Sequence, residues 1–152
     1  MEFKSLKVVL TSSRPKSQIQ WRPPTQGTLK INFDGAISAE GKCSGLGAII
    51  RDSEGLVIAS LVTWVPQQLQ PIEIEALAAY KALEFARELG ISEVVLEGGS
   101  SLVMTALALK NPGLAPFGLL LQDSLMVSVG FSKLSYSHTN REGNTVAHNL
   151  LS

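Results

Sequence analysis

The sequence predicts an α/β fold built on a mixed five-stranded sheet with helices on its faces. Three observations predict it. Three strand-like segments joined by short turns occupy residues 29–65, helical and strand-like patterns alternate from Pro71 to the end, and glycine or proline marks most of the junctions. Hairpin-linked strands pair antiparallel, whereas strands separated by a helix pair parallel, so the two halves of the chain give one mixed sheet.

The first strand is Leu29–Ser38, where Leu29, Ile31 and Phe33 alternate with Lys30, Asn32 and Asp34. The second runs from Gly45 to Asp52. Ser53-Glu54-Gly55 makes a tight turn into the third, Leu56–Val65. Pro71 opens a helix that reaches about Leu89 and stops at Gly90. Its apolar positions Ile74, Leu77, Ala78, Leu83 and Phe85 follow a helical period. Glu93–Glu97 is a short strand. Ser100 is placed to cap a helix over Ser101–Lys110, which Asn111-Pro112-Gly113 ends. Phe117–Val129 is a third helix, Lys133–His138 a last strand, and Asn144–Leu151 a final helix with Asn144 at its cap. The order is β-β-β-α-β-α-α-β-α.

At 152 residues and 45% hydrophobic content, the chain suits one globular domain with a real core. The single cysteine, Cys43, allows no internal disulfide and fits a reducing compartment, nucleus or cytoplasm. No apolar run reaches the roughly 18–20 residues that span a bilayer, so no membrane partner is expected. The formal net charge is zero, but residues 1–22 carry five basic side chains against Glu2 alone, a net of +4. Residues 1–26 lack periodicity and contain Pro15, Pro23 and Pro24, so they read as a basic, flexible lead-in to a domain over 27–152. Such a segment suits phosphate contact, a solvated tail or, less readily, organelle targeting. Trp21 is expected to pack on the domain edge.

Asp34 ends the polar face of the first strand beside Gly35, where a carboxylate is placed to reach a metal or a substrate. With the lead-in Trp21-Arg22-Pro23-Pro24, Gly27 and Phe33-Asp34-Gly35-Ala36, the chain resembles the ribonuclease H-like family in its plant-type, retrotransposon-related branch. Further matches are Ile74-Glu75-Ala76-Leu77-Ala78 with Gly90 downstream, and His138-Thr139-Asn140-Arg141-Glu142-Gly143-Asn144 followed by Val146-Ala147-His148. The resemblance covers about residues 21–152.

The resemblance implies hydrolysis of the RNA strand of an RNA–DNA hybrid by two Mg²⁺ or Mn²⁺ ions held among four acidic positions. Asp34 and Glu75 fill two of these positions as metal ligands and catalytic residues, and His148 stands at the fourth as a catalytic candidate. Gly99, in Leu96-Glu97-Gly98-Gly99-Ser100, stands where the family carries aspartate. Glu97 leaves the same strand face two residues earlier and is a weaker substitute. Imidazole is a poor Mg²⁺ ligand, a better one for Mn²⁺, and an apt proton carrier. Lys30 and Asn32, on the face of Asp34, and His138 and Arg141, in the loop before the last helix, are the nucleic-acid-binding candidates. The expected partner is an RNA–DNA hybrid or another duplex, bound by a monomer. Three outcomes stay open: a nuclease impaired by Gly99, a nucleic-acid-binding module without the reaction, and a decayed mobile-element-derived domain.

Overall fold

A computed structural model of the chain describes residues 5–9, 21–113, 117–140 and 142–151. The strands are β1 (Ser5–Val9), β2 (Leu29–Ile37), β3 (Ser44–Arg51), β4 (Val57–Val65), β5 (Glu93–Gly98) and β6 (Lys133–His138). The helices are α1 (Pro71–Glu88), α2 (Ser101–Ala108), α3 (Phe117–Ser128) and α4 (Thr145–Asn149), with a 3₁₀ turn at Glu142–Asn144 before α4. The sheet order is β1-β4-β3-β2-β5-β6. The β1–β4, β4–β3 and β3–β2 pairs are antiparallel, whereas β5 and β6 add in parallel after their helical crossovers.

The predicted β-β-β-α-β-α-α-β-α order is therefore present, on a sheet with one further strand. Ser5–Val9 lies within the segment read as a lead-in and pairs with β4 from Ser5↔Trp64 to Val9↔Ser60. Its single Leu-Lys-Val-Val run is too short for periodicity to separate it from its surroundings.

Short-range chemistry sets the junctions. The Asp52 carboxylate accepts from the amides of Glu54 and Leu56 and closes the β3–β4 turn. At the start of α1, Pro71 occupies the first helical position and the Gln70 amide donates to Glu73 Oε1 at 3.1 Å. At its end, the Ile91 amide donates to Ala86 O and the Gly90 amide to Arg87 O.

The alternation in β2 divides the molecule. Ile31 and Phe33 are wholly buried on the face that α1 covers, in one core with Leu46, Ile50, Leu83, Leu96, Val103 and Leu121. Lys30, Asn32 and Asp34 take the other parity. There Ile49, Val57 and Ala147 form a smaller cluster under α4. α4 has only five residues, so its order depends on this packing.

Two glycines bring the layers close enough to build a site. A Cβ at Gly35 would collide with the Ile74 side chain, so glycine lets α1 cross β2 immediately beside Asp34. A Cβ at Gly47 would press on Leu151 Cγ at 3.2 Å and on Ala147 O at 3.4 Å, and Gly47 is the register partner of Asp34. Gly35→Ala is expected to destabilise the protein by about 1–3 kcal/mol, because β-branched Ile74 has little freedom to retreat. Urea denaturation checks this; an unchanged midpoint would show that α1 is free to shift.

Candidate functional site

Asp34 sits near the C-terminal end of β2, and Glu75 follows Ile74 at the β2–α1 crossing. The Gly35 amide donates to Glu75 Oε1 at 3.3 Å, which aims the Glu75 carboxyl group at the Asp34 end of β2. From the other side, His148 Nδ1 lies 2.8 Å from Asp34 Oδ2. Asp34, Glu75, Gly99, Ser100, Asn144 and His148 face one cavity of about 340 Å³. The structure thus brings together Asp34, Glu75, His148 and the position of Gly99.

Two carboxyl groups held this closely repel as anions. Burial first, then the charge of Asp34 and a hydrogen bond to it, push the Glu75 carboxyl group up to about 8, and the Gly35 amide opposes the shift. Glu75 Oε2 is buried without a hydrogen-bond partner. A buried acidic oxygen aimed at a second carboxylate is suited to a divalent cation, which would replace repulsion with attraction.

The donor set limits how many ions fit. Mg²⁺ is commonly held by one or two carboxylates with water and phosphate oxygens, a requirement that Asp34 and Glu75 meet. Among the described residues, no group of three or more His, Cys, Asp or Glu side chains is arranged to hold a metal ion. Asp34 and Glu75 by themselves fit one hard cation. At Gly99, a Cβ would meet only Asn144 Nδ2 and Thr139 O, both at 4.0 Å. Gly99 is also not among the residues with positive φ, so an aspartate there would be neither crowded nor strained. Ser100 is occupied as the α2 cap, its Oγ accepting from the Val103 amide at 3.3 Å.

Glu97 does not stand in for the absent carboxylate. It is buried, forms an ion pair with Lys30 at 3.1 Å, and accepts from Asn32 at 2.9 Å and from Ser137 at 2.8 Å. The same network corrects the assignment of Lys30 and Asn32 to nucleic-acid contact. They are 7% and 0% exposed, and their polar atoms are spent inside the protein. Strand parity placed them on the face of Asp34, but it does not distinguish a solvated polar face from a covered one. His138 is exposed, with Nε2 3.2 Å from Gly99 O, beside the cavity. Arg141 lies outside the described residues. Asn144 occupies the cap position of α4 without a cap hydrogen bond; its amide donates to Phe33 O at 2.8 Å instead.

Arg51 was not singled out by sequence. It is fully buried at the end of β3, donates to Asn32 Oδ1 at 3.0 Å and lies 3.8 Å from the centre of the Trp21 ring. Burial lowers its pKa to about 10, and Glu97 opposes the shift. Trp21 does pack on the domain, against this guanidinium.

Residues 32–152 match the family described as reverse transcriptase-like. No curated protein matches the chain. Among solved structures, ribonuclease H1 from Halobacterium salinarum superposes with a TM-score of 0.73 at 24% identity, over 82% of this chain and 94% of that one. The N-terminal ribonuclease H domain of a Mycobacterium tuberculosis protein gives 0.72 at 22% identity, over 81% and 89%. LC11 ribonuclease H1, solved in complex with an RNA/DNA hybrid, gives 0.71 at 20% identity, over 80% and 92%. The fold is that of ribonuclease H.

The raised Glu75 pKa has a consequence for stability. The folded state prefers the protonated carboxyl group, so that contribution is complete below the unfolded value near 4.5. It is lost progressively as pH rises from there through about 8. Glu75→Gln carries no such slope. In chelator, thermal unfolding is expected to show the variant gaining on the wild type between pH 4.5 and 8, by roughly 1–3 kcal/mol at the upper end. Parallel pH profiles would show that the two carboxyl groups do not repel.

Proposed function

We propose that this chain, which belongs to the reverse transcriptase-like family, is a ribonuclease H-like domain that binds RNA–DNA hybrids and whose hydrolytic site lacks one carboxylate. The observation that carries the reading is the convergence of Asp34 and Glu75 on a cavity where Gly99 supplies no side chain. The hybrid complex of LC11 ribonuclease H1, on the same fold, supports the choice of ligand. A hybrid is recognised through phosphates and 2′-hydroxyls in a wide, shallow groove, which requires no sequence-reading side chains.

Asp34 and Glu75 would hold one divalent cation, Mg²⁺ or Mn²⁺, after Glu75 releases its proton. When bound, such an ion polarises a phosphodiester oxygen and acidifies a water molecule. Asp34 fixes His148 by accepting from Nδ1, and this leaves Nε2 as the atom for proton transfer or phosphate contact. The His148 side chain is 54% exposed, so a substrate at the cavity mouth reaches it. Two cations close together need more negative charge than Asp34 and Glu75 supply. Loss even of a group that only supports a metal ligand costs about 10–100-fold in affinity or activity, and loss of a ligand itself costs more. The second reading, a binding module without the reaction, is favoured by the same glycine.

Cleavage of a labelled hybrid in Mg²⁺ tests the proposal. The wild type is expected to cut slowly or not at all, and Gly99→Asp to raise the rate at least about tenfold. Robust cleavage by the wild type that Asp34→Asn abolishes would overturn the impaired-site reading. No cleavage by a folded Gly99→Asp variant would favour the binding module. Hybrid affinity is expected to be weak and to fall steeply with salt, since the net charge is zero and four of the 13 basic residues lie within the first 16 positions. Replacing Lys4, Lys7, Arg14 and Lys16 with glutamine should flatten the salt dependence. An unchanged slope would exclude phosphate contact by that segment.

A further inference from the structure

Beneath the candidate site runs a chain of buried hydrogen bonds with a fixed direction. Asn32 Oδ1 accepts from Trp21 Nε1 at 2.9 Å and from Arg51 Nη2 at 3.0 Å. An indole and a guanidinium can only donate, so together they fix the Asn32 amide with its oxygen toward them. Asn32 Nδ2 must then point the other way, where it donates to Glu97 Oε1 at 2.9 Å and to Asn144 Oδ1 at 3.2 Å. With its oxygen taken, Asn144 presents Nδ2, which donates to Phe33 O at 2.8 Å. That carbonyl belongs to the peptide entering Asp34. Asn144 also precedes α4, the helix that carries His148 to Asp34.

Stability alone gives little reason for a buried arginine at the head of this chain. Arg51 Nε and Nη1 have no hydrogen-bond partner, and an apolar side chain of similar volume would avoid their desolvation. The Trp21 ring over the guanidinium offsets part of that cost. What the apolar side chain would not supply is a donor that orients Asn32.

We infer that Trp21 and Arg51 are positioning residues for the candidate site, which orient Asn32 and, through Asn32 and Asn144, hold the Phe33–Asp34 peptide and α4 in register. The inference rests on the reading that Asp34 and His148 belong to one site. Neither Trp21 nor Arg51 lines the cavity, so their effect travels entirely through the two amides.

Native-state hydrogen exchange on the full chain tests this without metal or substrate, so its failure leaves the nuclease reading standing. Trp21→Phe keeps an aromatic ring at position 21 and removes the indole donor; Arg51→Met removes the other donor. Asn144→Asp removes the donor to Phe33 O. Leu121→Ala, a truncation on the buried face of α3, controls for general loss of stability. Trp21→Phe and Asn144→Asp are each expected to speed exchange at the Leu150 and Leu151 amides by roughly tenfold beyond the change elsewhere in the protein. Both should shift the side-chain amide resonances of Asn32. Combined, they should have little more effect than the stronger of the two, because they break one chain in series. Arg51→Met should give the same selective loosening as Trp21→Phe. Exchange that follows global stability alone, as in Leu121→Ala, or effects that simply add, would overturn the inference.

Discussion

Asp34 and Glu75 meet because α1 crosses β2 at Gly35, where no side chain separates Ile74 from the strand. That contact fixes two carboxyl groups at one end of a cavity, where burial and the neighbouring Asp34 push the Glu75 pKa upward. The remainder of the site follows from it. Gly47, beside Asp34 on β3, lets α4 approach the opposite face, and α4 brings His148 to Asp34 Oδ2. A strand end, a helix crossing and a short terminal helix thus converge through two close glycine contacts. Substituting either glycine would move the layers apart before it altered any polar group.

The sheet face carrying Asp34 holds charge in two different ways. At the open end, two carboxyl groups are pressed together and one buried oxygen stays without a partner, a condition suited to a cation. One pleat below, Glu97 pairs with Lys30 and accepts from Asn32 and Ser137, while Arg51 donates to Asn32 and leaves its Nε and Nη1 without a partner. Glu97 shows the contrast most clearly. It lies on the face where a further carboxylate would serve the cavity, yet its oxygens accept from Lys30, Asn32 and Ser137. Moving it to the site would leave buried Lys30 without its anion.

Much of this was legible in the sequence. The alternation of Leu29 to Asp34 gave both the strand and the parity of its two faces, and Pro71 and Gly90 bounded the first helix within a residue or two. The convergence of Asp34 with Glu75 followed from motifs rather than periodicity, since a lone glutamate on a helix shows no direction by itself. What stayed hidden was what covers a polar face. Lys30 and Asn32 read as solvent-facing because parity is local, whereas their burial depends on Trp21, Arg51 and Asn144, distant in sequence and brought together only by the fold. β1 was hidden for a related reason: five residues suffice to pair with an existing edge but not to establish a period.

In the proposed reading, Asp34 and Glu75 would form half of a two-ion site that Gly99 leaves incomplete. Mn²⁺ titration by calorimetry at pH 8, comparing the wild type with Gly99→Asp in the presence of a non-cleavable hybrid, tests it most directly. The account predicts one ion for the wild type, lost in Asp34→Asn, and a second ion or a marked gain in affinity for the variant. Two ions bound by the wild type with similar affinity, or one ion that survives Asp34→Asn, would contradict it.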